Sequence, residues 1–96
     1  MGDDGEKLLA RIRQSSANCK REELIALYIA FGFKIENRTN HDIAVHTKFP
    51  ELRATIGRHK RLSVAYFRTA VRLVDAVKRR LQEEAQNEQS GTPQTS

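Results

Sequence analysis

Cysteine is nearly missing from this sequence. Cys19 stands alone in 96 residues, so no disulfide can close within the chain and no zinc site of several thiolates can form from it. Long apolar runs are missing as well: the longest, Leu24 to Phe33, contains Tyr28 and Gly32 and falls well short of the roughly 20 residues of a membrane span. No signal-peptide pattern precedes it. These absences predict a soluble, cytoplasmic protein with no membrane partner. Acidic residues are the minority sign, twelve against seventeen Lys and Arg, which leaves a formal charge of +5 and a pI near 9.8. That balance favours polyanionic partners such as RNA or DNA, although charge alone is equally met by a solvated surface. The remaining composition, 39% apolar and 30% charged, is that of one ordinary globular domain and excludes wholesale disorder.

The pattern along the chain predicts helix, helix, three strands, helix. Acidic residues at Asp3, Asp4 and Glu6 suit a helix N-terminus, and Asp3 with Glu6 has capping-box spacing before Leu8, Leu9 and Ile12. This predicts a first helix over 4–15, with a narrow apolar stripe that docks peripherally. After the polar break Ser15-Ser16-Ala17-Asn18, a second helix is predicted over Arg21 to Phe31, with Leu24, Tyr28 and Phe31 at helical spacing. Gly32 ends it, since glycine takes the left-handed conformation past a helix C-terminus, and Phe33 can fold back on the last turn.

From Phe33 the period becomes two. Phe33, Ile35 and Asn37 alternate with Lys34, Glu36 and Arg38, and Ile43 and Val45 alternate with Asp42, Ala44 and His46, which predicts two strands. Thr39-Asn40 between them is the predicted hairpin turn, where Asn tolerates positive φ. Pro50 marks a second break, and Leu52, Ala54 and Ile56 carry a third strand. Ser63 is the predicted N-cap of a long helix, with Leu62 and Phe67 at hydrophobic-staple spacing. Phe67, Ala70, Val71, Val74, Val77 and Leu81 form its apolar face, and Arg68, Arg72, Asp75 and Arg79 its solvated face. Residues 86–96 lack apolar anchors and are predicted to be a disordered tail, leaving 1–85 as the domain. A sheet with one apolar face needs helices over it, so the expected class is α+β. From the second helix onward the order is that of a double-stranded-RNA-binding fold.

The cations and histidines concentrate on the predicted sheet. Between Lys34 and Arg61 lie Lys34, Arg38, Lys48, Arg53, Arg58, Lys60 and Arg61 against three acids, together with His41, His46 and His59. Such a cluster can track a phosphate backbone or can be a solvated sheet face. His41 and His46 are five residues apart and would point to opposite faces of a regular strand, so no paired-histidine site is predicted. His59, within Gly57-Arg58-His59-Lys60-Arg61, is placed either to meet phosphate at the start of the last helix or to lie in a solvated turn. Asp42 and the histidines do not have metal-ligand spacing.

Three segments, Phe31-Gly32-Phe33, Arg38-Thr39-Asn40-His41-Asp42-Ile43 with His46, and Pro50-Glu51-Leu52, resemble the HicA toxins, a family of messenger-RNA-cutting proteins. There a helix ending in Gly leads into a hairpin that bears a histidine. The resemblance implies a metal-independent endoribonuclease without a cofactor, which cleaves mRNA and inhibits translation. It also implies a HicB-like antitoxin as protein partner. The family's Gly-Ser-His-His is matched here by Thr39, Asn40, His41 and Asp42, which carries the catalytic role to His41 by type and leaves the Gly, Ser and second His replaced. Lys34, Arg38, His46, Lys48, Arg53, Arg58, His59, Lys60 and Arg61 are the expected RNA contacts. The rival reading is a non-catalytic RNA-binding or protein-interaction domain of the same fold; DNA binding is weaker, because a sheet face reading duplex DNA would need clearer base-contacting side chains.

Overall fold

A computed structural model describes the backbone of residues 2–59 and 61–94 and the side chains of residues 4–59 and 61–86. The element order is α1 (Gly2–Ser15), a 3-10 turn (Ser16–Asn18), α2 (Arg21–Ala30), β1 (Phe33–Asn37), β2 (Asp42–His46), β3 (Arg53–Ile56) and α3 (Val64–Gln94). The strands form one antiparallel sheet in the order β1-β2-β3. The fold is thus α+β with helices on one face of the sheet, as the change of period from 3.6 to 2 and back predicts.

The core lies between that sheet face and the helices. Leu24, Leu27 and Tyr28 of α2, Phe33 of β1, Ala44 of β2, Ile56 of β3 and Phe67, Ala70, Val74 and Val77 of α3 are all buried in it. Helix α1 is not peripheral, contrary to the expectation drawn from its narrow stripe. Leu9 and Ile12 belong to the same core, and Leu8 packs against it. Lys78 to Glu6, at 2.9 Å, and Arg13 to Asp75 fasten α1 along α3 at its exposed margin. The Asp3 side chain of the predicted capping box lies outside the described residues.

The α3 backbone is helical to Gln94, through Gln82–Ser90, a stretch without Gly or Pro, and on through Gly91 and Pro93. Leu81, the last residue of the apolar face read from the sequence, is 45% exposed, whereas Val77 one turn earlier is buried.

At the other end of α2, Gly32 has φ +91° and is the one positive-φ residue among those described. Its N–H donates to Ile29 O at 3.2 Å, closing the left-handed C-terminal motif that the sequence predicts.

Candidate nucleic-acid interface

The strand register decides which side chains the sheet offers to solvent. Phe33 pairs with His46, Ile35 with Ala44 and Asn37 with Asp42, and Asp42 and Ala44 pair with Ile56 and Ala54. This set faces the helices, as the presence of Phe33, Ala44 and Ile56 in the core requires. Ile43 and Val45 therefore lie on the opposite face, away from the helices, with Lys34 and Arg53 flanking Val45, which is only 5% exposed between them, and Glu36 and Thr55 flanking Ile43. Lys34 and Arg38 both pair with Glu36, at 3.3 and 2.8 Å, which places Arg38 on this face too and holds the Glu36 carboxyl below its usual range, the Lys34 hydrogen bond being the largest cause. The Arg53 Nε donates to Pro50 O at 2.9 Å.

His41 sits at the hairpin end of this face. It immediately precedes β2, and by strand alternation shares the side of Ile43 and Val45. Its ring is half-buried, and its carbonyl accepts from the Arg38 N–H at 2.9 Å, closing the Arg38–His41 turn. The turn does not use a positive-φ Asn40. An arginine from outside the hairpin stabilises it: Arg58 donates to Thr39 O at 3.2 Å, to Arg38 O and, at 3.4 Å, to His41 O. Three hairpin carbonyls are thus collected by one guanidinium.

Asp42 holds that guanidinium in place. Its carboxylate is 4% exposed and accepts from Asn37 Nδ2 at 2.8 Å, from Arg58 Nη2 at 3.0 Å and from the Arg21 guanidinium. Arg21 in turn donates to Gly57 O at 2.7 Å. These donors, Asn37 and then Arg58 foremost, pull the Asp42 carboxyl below the usual aspartate value. A buried carboxylate with every donor supplied from a different segment joins α2, the hairpin and the end of β3. Sequence reading treats Arg21 only as a helix start. A pairing across 21 residues leaves no local signal.

His46 is buried, at 4% exposure. Its Nδ1 accepts the Lys48 and Phe49 N–H groups, each at 3.1 Å, while Nε2 lies 3.0 Å from Phe31 O. Two donors on Nδ1 leave Nε2 as the protonated nitrogen, donating to Phe31 O. The ring is packed edge-on to Phe33 and stacked on Phe49, at centroid distances of 4.9 and 5.1 Å. With no nitrogen free and no exposed face, His46 drops out of the expected RNA contacts; its role is to join the α2–β1 corner to the β2–β3 loop.

The other expected contacts are dispersed. Lys48 pairs with Glu84 of α3 and lies over the Phe49 ring. Arg58 and Arg61 line a depression beside α2 with Lys20, Arg21 and Glu22, and His59 is exposed next to it. Lys60 lies outside the described residues. Lys34, Arg38 and Arg53 line one depression with His46, Arg38 and Arg58 meet the His41 backbone, and Lys48, His59 and Arg61 lie elsewhere. Among the described residues no three His, Cys, Asp or Glu side chains group as a metal site, and no helix is long and apolar enough to cross a membrane.

No protein-family model, curated protein or solved structure matches this chain.

Proposed function

We propose that this chain is a cytoplasmic endoribonuclease of the HicA kind, which lays messenger RNA along the sheet face away from the helices and uses His41 as its proton-transfer group. The observation that carries the reading is the position of His41: a half-buried side chain at the hairpin end of β2, with Arg38 hydrogen-bonded to its backbone and Lys34 and Arg53 further along the sheet beside Val45. RNA supplies its own nucleophile. The 2′-hydroxyl loses its proton to the imidazole, the 2′-oxygen attacks phosphorus, and the bond to the 5′-oxygen breaks, leaving a cyclic phosphate and a 5′-hydroxyl once that oxygen takes up a proton. An imidazole can give or take a proton near neutral pH, and Arg38 is the nearest cation along the chain to balance charge on the phosphate. A HicB-like protein covering this face would restrain the activity.

One observation favours a second reading, a non-catalytic RNA-binding or protein-interaction domain. The residue after His41, a second histidine in the HicA pattern, is here a carboxylate buried under two arginines, so its chemistry is committed to the fold.

The test is cleavage of a mixed RNA in the presence of chelator by wild type, His41→Ala and His59→Ala, each shown folded by circular dichroism. The proposal expects cutting by wild type and His59→Ala, with a loss of about 100-fold or more in His41→Ala. Equal cutting by folded His41→Ala overturns the assignment. RNA binding without cutting by the wild type establishes the second reading.

A further inference from the structure

On the side of the molecule formed by α1, the 3-10 turn and α3, a groove of about 1060 Å³ runs along α3. Its floor includes Ala17, Val64 and Val71, and its rim carries Arg13, Arg68, Arg72 and Arg79. Arg68, Arg72 and Arg79 follow one another at helical intervals of four and seven residues, so they form a single stripe about 16 Å long at 1.5 Å per residue. Asp75, the acid on this stripe, is taken by Arg13. Arg68, Arg72 and Arg79 have no carboxylate partner among the described side chains, whereas Arg11, Arg21, Arg38, Arg58 and Arg80 all do.

Three unneutralised guanidinium groups beside an apolar floor specify a ligand with two properties. Carboxylates suit the rim, because the planar guanidinium fork takes them bidentately, and aliphatic side chains suit the floor. A nucleic-acid backbone meets the first requirement only. The groove has no aromatic side chain on which bases could stack, the feature that single-strand binding uses to gain contact beyond charge. We propose that this groove is a docking site for an acidic amphipathic segment of a partner protein, its carboxylates on Arg68, Arg72 and Arg79 and its aliphatic side chains on Val64, Val71 and Ala17. The partner lies on a different surface from His41 and the sheet, so its binding does not depend on the ribonuclease reading.

Fluorescence anisotropy of the full chain with a labelled 15-residue peptide, glutamates on one helical face and leucines on the other, tests this directly. Two controls accompany it: an oligoglutamate of equal charge, and a 12-nucleotide single-stranded RNA as competitor. The amphipathic peptide should bind more tightly than oligoglutamate, and Arg68→Gln/Arg72→Gln should weaken it about 10-fold or more. Ala17→Glu, which leaves every arginine in place at an exposed position of the 3-10 turn, should weaken it similarly. Circular dichroism would confirm that both variants are folded. Equal affinity for peptide and oligoglutamate, or unchanged peptide binding in both variants, overturns the proposal. Loss of RNA binding in Arg68→Gln/Arg72→Gln, without peptide binding by the wild type, would make the groove a phosphate tract instead.

Discussion

Arg58 Nη2 and Asp42 Oδ1 lie 3.0 Å apart, and through this pair the loop after β3 closes the β1–β2 hairpin. The guanidinium that meets the carboxylate also takes the Thr39, Arg38 and His41 carbonyls. The candidate histidine is thus held in position by a residue 17 positions away in sequence.

Asp42 makes the fold sensitive to acid. Its pKa is lowered in the folded state, first by the Asn37 and Arg58 hydrogen bonds, so its contribution is complete above the unfolded aspartate value and disappears as pH falls through the lower folded value. Wild-type thermal stability should therefore drop below about pH 4. Asp42→Asn should melt at a lower temperature than wild type at about pH 7, and the gap between the two should narrow as the pH falls toward about 2. Glu36 and Glu51, also lowered by paired cations, will contribute to the acid loss in both proteins. A gap that stays constant over this range would show that the Asp42 charge is not what joins these segments.

Gly32→Ala tests the corner between α2 and β1. At φ +91° a side chain is strained, and a Cβ there would lie 2.9 Å from His46 Nε2, the nitrogen that donates to Phe31 O. Backbone strain of this kind costs about 1–3 kcal/mol, so the urea midpoint should fall with little change in slope. A variant as stable as wild type would mean that neither the left-handed backbone nor the His46 contact constrains this corner.

Along α3 the cost of truncation should change sharply with position. Phe67 is fully buried, and Phe67→Ala should lose about 3–5 kcal/mol. Leu81, although it continues the same apolar stripe, is 45% exposed, and Leu81→Ala should lose less than about 1 kcal/mol. Denaturant melts giving the two substitutions equal effects would place the end of the core beyond Val77.

The sequence by itself determined the α+β class, the order of the elements and nearly all of their boundaries, because periodicity, Gly32 and the polar breaks are local signals read over a few residues. It also identified the cations and His41 as the residues worth locating. Which of them share a surface was decided by tertiary structure. Strand register turned Asp42 and His46 inward, where hydrogen bonds from distant segments make their burial tolerable, and put Ile43, Val45, Lys34 and Arg53 on the opposite face, where Lys34 and Arg53 are exposed and Val45 is buried between them. The packing of α1 against α3 likewise turned a stripe that reads as solvated, Arg68, Arg72 and Arg79, into the wall of a groove. Partners such as Arg21 with Asp42 are joined across long stretches of chain, and no short window of sequence contains both ends of such a contact.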